Sequence, residues 1–332
     1  MHDAESKSVE LQYAALTEGW GFVALRDWST VVMRGTDCVE FLHNMCTNDL
    51  RSLEPGNGCE AFCTDVSGKI VAHLFVLIYP DRVELLAVPG QAKRIIEHLD
   101  RYVIREDVQL ADETGQTVWV LVAGSQAAER LQSLFSGEMP VRARQWQLWS
   151  GELAQHCCEA VYAELTGPED VLLKIDALKW PAVQSALKEA GATACDEEVY
   201  HVLRVESGRP LFGVDFDGSN LAQEAARDRQ AISFTKGCYL GQETVARIDA
   251  LGHVNKRLGS VKFVDREVPS QGAELRDAAG KPAGCVTSVC WSPRLKGPLA
   301  LAMLRRGCNA PGDLLQSEFG AAEVLPTVTG ND

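Results

Sequence analysis

The eight residues Lys236-Gly237-Cys238-Tyr239-Leu240-Gly241-Gln242-Glu243 gather a thiol, an ammonium group two positions before it, two glycines and an amide–carboxylate pair. They sit between an apolar lead-in, Ala231, Ile232 and Phe234, and a helical run from Glu243 to Ile248. A free cysteine ordinarily packs as a small buried hydrophobe. Here Gly237 leaves the thiol approachable, Lys236 supplies positive charge, and a helix starting near Gly241 turns its N-terminal dipole toward the loop. The last two lower a thiol pKa. The stretch therefore reads as a loop whose Cys238 reacts or touches a ligand, with Lys236 as the activating charge.

Other chemistries lack their residues. No Gly-x-x-x-x-Gly-Lys-Ser/Thr and no Gly-x-Gly-x-x-Gly after a strand is present, so ATP and NAD chemistry are unsupported. Eleven cysteines include Cys59/Cys63, Cys157/Cys158 and Cys285/Cys290, none of them a Cys-x-x-Cys pair with zinc-type histidine spacing. Asp215-Phe216-Asp217-Gly218-Ser219 hints at a calcium loop, but Asn220 stands where the turn glycine belongs and Ala226 where the bidentate glutamate belongs.

The positioning elements come from a chain of 332 residues, 46% apolar and 23% charged, long enough for two or three domains. A formal charge of −14 opposes broad nucleic-acid binding and leaves room only for a local basic pocket. The first residues, Met1 to Leu11, carry Asp3, Glu5 and Glu10 and no apolar or arginine-rich targeting pattern. With many unpaired cysteines this indicates a reducing, cytoplasmic setting, and no apolar run reaches the roughly 20 residues of a membrane span.

Asp37 is placed to cap a helix with the stripe Val39, Phe41, Leu42, Met45, which ends in Thr47-Asn48-Asp49. Three antiparallel strands follow, at 60–64, 69–79 and 83–88, the first two joined by the turn Asp65-Val66-Ser67-Gly68. Ile95, Ile96, Leu99, Tyr102 and Val103 then switch to helical spacing. Strands at 118–122 and 170–175, and helices marked by Ala127 to Phe135 and by Val183, Leu187 and Ala190, repeat this order. A helix from Glu197 ends at Gly208, with Pro210 beyond it. After Arg257, short β-rich pieces separated by Pro269, Gly272, Gly280, Pro282, Pro293, Pro298 and Pro311 fit a small barrel. The pattern predicts α+β architecture with largely antiparallel sheets, a boundary near residue 256 and a disordered tail after Pro326.

The octapeptide resembles the signature of the YgfZ-type folate-binding proteins, a branch of the superfamily that contains the aminomethyltransferase (T-protein) of the glycine cleavage system. Phe41-Leu42 with Thr47-Asn48-Asp49, Gly68-Lys69-Ile70, and the segment Arg204-Val205-Glu206-Ser207-Gly208 running to Phe212-Gly213 resemble further pieces of that family in order. The resemblance implies a three-lobed aminomethyltransferase-like fold with a C-terminal small β-barrel. Residues 1–255 would form the folate-binding region, with a middle lobe at about 90–195, and residues 256–332 the barrel.

It also implies tetrahydrofolate, or a one-carbon folate, as cofactor, with Glu206 on the pterin, since a carboxylate accepts two adjacent N–H donors as a pair. Without the resemblance Glu206 is an ordinary solvated helix-end carboxylate. Phe212, Asp215, Gln242, Arg247 and Asn48 are the further expected folate contacts. Arg247, Lys256 and Arg257 are either solvated charges or a fork for the folate's glutamate carboxylates.

Where the transferases carry paired aspartates after the glycine turn, this chain has Ala72-His73, and Pro89-Gly90-Gln91 replaces their aromatic–asparagine segment. His73 is either an alternative acid or base or a strand-face histidine without chemistry. The role that the resemblance implies is a folate-binding accessory protein for assembly or repair of iron–sulfur enzymes, with effects on tRNA modification and iron–sulfur proteins as partners. A folate-dependent aminomethyl- or methyltransferase and a non-catalytic interaction scaffold are the alternatives.

Overall fold

A computed structural model describes residues 2–137 and 145–326, and the chain separates into two compact units. One holds the residues up to Cys63 together with Ala72–Tyr200; the other holds Thr64–Val71 and everything from His201 onward. The tail beyond Pro326 lies outside the described residues. Among the described residues no helix is long and apolar enough to cross a membrane.

The first unit begins with α1 (His2–Thr17), β1 (Gly21–Leu25), β2 (Ser29–Arg34) and α2 (Cys38–Met45). Next come β3 (Gly58–Thr64), β4 (Ile70–Ile78), β5 (Val83–Ala87), α3 (Ala92–Asp100), β6 (Gln109–Asp112), β7 (Thr117–Ala123) and α4 (Ala127–Leu134). β8 (Leu148–Leu153), β9 (His156–Tyr162), β10 (Val171–Asp176), α5 (Trp180–Glu189) and β11 (Thr193–Cys195) complete it.

One sheet runs β11-β1-β7-β10-β9-β8 and the other β3-β4-β5-β2-β6. β1–β7, β7–β10, β9–β10, β2–β5, β2–β6 and β4–β5 are antiparallel, as the pattern predicts, while β1 and β11 pair in parallel. The helical spacing explains the core of the first sheet: Ala127 and Leu131 of α4 and Val183 and Leu187 of α5 join Val120, Val122 and Leu173 in one buried cluster. Each such fully buried Val or Leu contributes about 1.5–3 kcal/mol. Asp37 precedes α2 but does not cap it with its side chain; its carboxylate instead accepts the Asp107 N–H at 2.8 Å.

The second unit takes α6 (Glu197–Glu206) from His201 on, a 3-10 turn at Ala222–Ala225, α7 (Asp228–Ala231) and α8 (Gln242–Leu251). Its strands are β12 (Lys256–Phe263), β13 (Glu274–Arg276), β14 (Pro282–Ser292), β15 (Gly297–Arg305), β16 (Leu314–Ser317) and β17 (Gly320–Val324). They close into a barrel in the order β12-β15-β14-β13-β16-β17 around Val261, Phe263, Leu275, Leu304 and Leu315. Closure removes the unpaired edges that such short strands would otherwise expose. The barrel strands begin at Lys256, but the compact unit that holds them reaches back to His201 and takes in Thr64–Val71.

Candidate functional site

In the second unit the octapeptide is a turn pressed against the tip of the β3–β4 hairpin. Gly241, with φ of +82°, precedes α8, and a Cβ there would lie 2.4 Å from the Asp65 carbonyl oxygen. Gly68, with φ of +78°, would place a Cβ 2.8 Å from Thr244. Both positions need glycine for the left-handed backbone and for the close approach. Thr64 Oγ1 fastens the contact by donating to the Leu240 carbonyl at 2.6 Å. Gly237 has nothing within 4 Å of its missing Cβ, so the stretch before the turn is open.

On this turn Cys238 is exposed and Tyr239 buried. Lys236 is buried as well, and its ammonium lies 5.0 Å from the centroid of the Tyr239 ring, a cation–π arrangement. Gln242 opens α8 half-buried, its N–H bonded to the Tyr239 carbonyl at 3.1 Å. Arg247 is exposed on the same helix.

Glu206 ends α6 and is only 6% exposed, so it is not a solvated helix-end carboxylate. Its Oε1 accepts the Ser292 hydroxyl and, at 3.4 Å, the Arg294 N–H, while Oε2 lies 3.8 Å from Arg294 Nε. Arg294 also donates to the Glu206 carbonyl at 2.8 Å. The carboxylate is thereby held in one orientation by residues at the end of β14. Burial, with the Glu206 charge second, pushes the Cys290 thiol up to about 12.

Asp215 has a different part. Its Oδ1 accepts from Thr287 Oγ1 at 2.7 Å and Ser288 Oγ at 2.6 Å; its Oδ2 accepts from Arg204 Nη1 and from the Leu211 N–H, both at 2.9 Å. Neighbouring strand residues normally point to opposite faces. The irregular register of β14 between Val286 and Ser288 brings both hydroxyls to one oxygen, as a bulge does.

Arg204, 1% exposed, also donates to Ser288 Oγ at 2.7 Å and to the Arg209 carbonyl at 3.1 Å. His201 Nε2–H donates to the Val289 carbonyl at 2.8 Å, which leaves Nδ1 to accept from Arg204 Nη2 at 3.0 Å and fixes the neutral tautomer. Four donors meet the Asp215 carboxylate. It fastens the loop after α6 to the barrel. Phe212, on that loop, is buried edge-on against Phe216 with 5.7 Å between ring centroids.

Of the basic concentration at Arg247, Lys256 and Arg257, the last two are consecutive on β12 and are separated by strand alternation. Arg257 donates to Asp228 and to the Gln223 carbonyl, and the three residues line a cleft of about 210 Å³ with Phe234 and His253. Lys256 lies 3.6 Å from Glu224 and lines a separate cleft on the barrel. Arg257 is thus engaged by its own unit, and Lys256 and Arg257 line different clefts.

The first unit assembles its own cluster. Thr47 pairs with Phe62 through both its N–H and its Oγ1, each at 2.9 Å, and so lays the Thr47-Asn48-Asp49 segment along β3. Asn48 Nδ2 donates to the Glu60 carbonyl at 2.8 Å, and Asn48 Oδ1 accepts the Asp49 N–H at 2.9 Å. His73, on β4, is buried with Nε2 2.8 Å from Glu60 Oε1. Its ring is packed 5.0 Å from Phe62 and 5.1 Å from Phe75.

Asn48 and His73 thus meet through Glu60, a residue absent from the sequence expectations. Its signal was a single carboxylate inside the apolar strand Gly58–Thr64, where an acid is rarely buried unless paired.

The chain matches the GCVT N-terminal domain over residues 3–231 and the glycine cleavage T-protein C-terminal barrel domain over residues 256–329. It is 27% identical to the tRNA-modifying protein YgfZ of Sodalis glossinidius, over 81% of this chain and 80% of that one. It is 24% identical to an aminomethyltransferase of Geobacillus thermodenitrificans, over 97% of this chain and 88% of the relative. The solved aminomethyltransferase T of the Bartonella henselae glycine cleavage system superimposes with a TM-score of 0.86 at 19% identity, covering 96% of this chain and 89% of that one, so the fold is aminomethyltransferase-like. With both domain models matched in order, the chain belongs to the glycine cleavage T-protein family, the GCVT domain leading and the C-terminal barrel domain closing it.

Proposed function

We propose that the protein binds tetrahydrofolate, with Glu206 accepting the adjacent N–H donors of the pterin edge, and acts as an accessory factor in assembly or repair of iron–sulfur enzymes. The observation that carries this reading is the buried Glu206 carboxylate, held in one orientation by Ser292 and Arg294 in a chain of this family. A preoriented carboxylate loses little freedom when a ligand docks. Phe212, Asp215, Gln242 and Arg247 are the further folate contacts proposed in the second unit. Exposed Cys238, next to buried Lys236, is the thiol offered to the one-carbon end of the folate or to a damaged cluster. The name of the Sodalis relative favours tRNA modification as the process served.

A second reading, a folate-dependent aminomethyl- or methyltransferase, draws on the buried His73–Glu60 contact, which gives an imidazole a carboxylate partner of the kind used in acid–base work. Titration of tetrahydrofolate, followed by quenching of tryptophan fluorescence, tests both readings, and incubation with methylated amine donors separates them. Saturable binding without turnover is expected. Catalytic formation of methyl- or methylene-folate would establish the transferase instead, and absence of binding would remove both.

A further inference from the structure

We propose that the barrel carries a ligand site of its own: an anion pocket in which Lys256 and Arg305 together hold a phosphate or carboxylate group. The two residues stand directly opposite each other on β12 and β15. The Arg306 N–H donates to the Asn255 carbonyl at 2.9 Å, which makes Lys256–Arg305 a narrow, non-hydrogen-bonded pair with Cα atoms about 4.5 Å apart. Like charges placed this way destabilise a sheet. Lys256 has one carboxylate near it, Glu224 at 3.6 Å, while the Arg305 side chain has no hydrogen bond or ion pair among the described residues. In a chain of formal charge −14, two cations facing each other are an exception that an anion between them would explain.

Both residues line one cleft of about 510 Å³. Met303, two positions from Arg305 and therefore on the same face, pairs across β14 with Cys285, and Cys285 pairs with Glu274 on β13. With Lys256 on β12 these side chains form a floor across four strands that spans about 14 Å at the usual strand spacing. It starts at the cations, crosses a thioether and an exposed thiol, and ends at Glu274, whose carboxylate is 2.6 Å from Arg276. The geometry suits a small molecule with an anionic group at one end and an apolar body lying along Met303 and Cys285. Glu206 is not in this lining, so the proposal stands apart from the pterin contact.

The test uses the full chain and calorimetric titration at low ionic strength with inorganic phosphate, and in parallel with tetrahydropteroyl-monoglutamate and -triglutamate. Phosphate is expected to bind saturably. Arg305→Gln and Lys256→Gln should each weaken it about tenfold or more, the loss of one charge-assisted hydrogen bond. Arg305→Gln should not lower the melting temperature, because it removes a like-charge opposition and breaks no ion pair, whereas a purely structural role would lower it.

Glu206→Gln should leave phosphate binding intact, which separates this site from the fate of the folate reading. Tighter binding of triglutamate than monoglutamate, with the gain lost in Arg305→Gln, would identify the folate tail as the source of the anion. Equal binding of the two folates beside saturable phosphate binding would point to a separate phosphate compound. Absence of saturable binding by both phosphate and triglutamate, or unchanged affinity in both variants, overturns the proposal.

Discussion

Glu206 and Asp215 are buried carboxylates that both accept hydroxyls of β14. Asp215 is enclosed with Arg204, and removing one partner of such a buried pair leaves an uncompensated charge. Asp215→Ala should therefore destabilise the protein by about 3–5 kcal/mol in urea unfolding, far more than a surface change.

A second residue-scale prediction concerns thiols. Burial pushes Cys290 up to about 12 and Cys38 up to about 11 from the ordinary 9.0. Iodoacetamide at pH 8 should label exposed Cys157, Cys238 and Cys285 and spare those two. A raised thiol pKa favours the protonated folded form. Its stabilisation is therefore complete below pH 9.0 and is lost as pH rises toward 12, and the melting temperature should fall over that window. The sequence could not foresee the setting of Asp215, because the irregular register of β14 that brings Thr287 and Ser288 to one of its oxygens is a tertiary feature. Glu60 stayed hidden for a related reason, its partner His73 being on another strand.

At the scale of elements, periodicity located α2 to α6 and the strands β3 to β5, since each buries a clear stripe or alternation. It did not mark α1, which lacks a strong apolar face, nor the parallel pairing of β1 with β11, which joins chain segments far apart in sequence. The hairpin tip and the turn before α8 are a sharper case. Both glycines are visible in the sequence, but the contact that requires them is not. Gly241→Ala should cost about 1–3 kcal/mol through its left-handed backbone, and more through the contact with Asp65. Gly237→Ala, with open space around it, should leave the urea midpoint unchanged. Equal stability of the two variants would show that the turn does not press on the hairpin. Loss of function in stable Gly237→Ala would place the defect at Cys238 itself.

For the whole molecule, composition and order predicted antiparallel sheets followed by a barrel, and the matched domains and solved relative agree with that architecture. The discontinuous second unit, with Thr64–Val71 joined to the residues after Tyr200, follows from tertiary contacts that no local pattern encodes. The charge of −14 makes a broad RNA-binding surface unfavourable whatever process the protein serves. Unfractionated tRNA should form no tight complex at physiological salt in a filter-binding assay, and a strong, salt-sensitive complex would show that the net charge misrepresents the surface that matters.

The proposed folate site depends on recognition of a pterin by Glu206. Its most direct test is the dissociation constant for tetrahydrofolate of the unaltered chain and of Glu206→Gln, which keeps the shape and a hydrogen bond to Ser292. Saturable binding is expected to weaken at least tenfold in the variant, from the loss of charge-assisted hydrogen bonds worth about 1.5–3 kcal/mol each, at unchanged melting temperature. Equal affinity in the two proteins would contradict it.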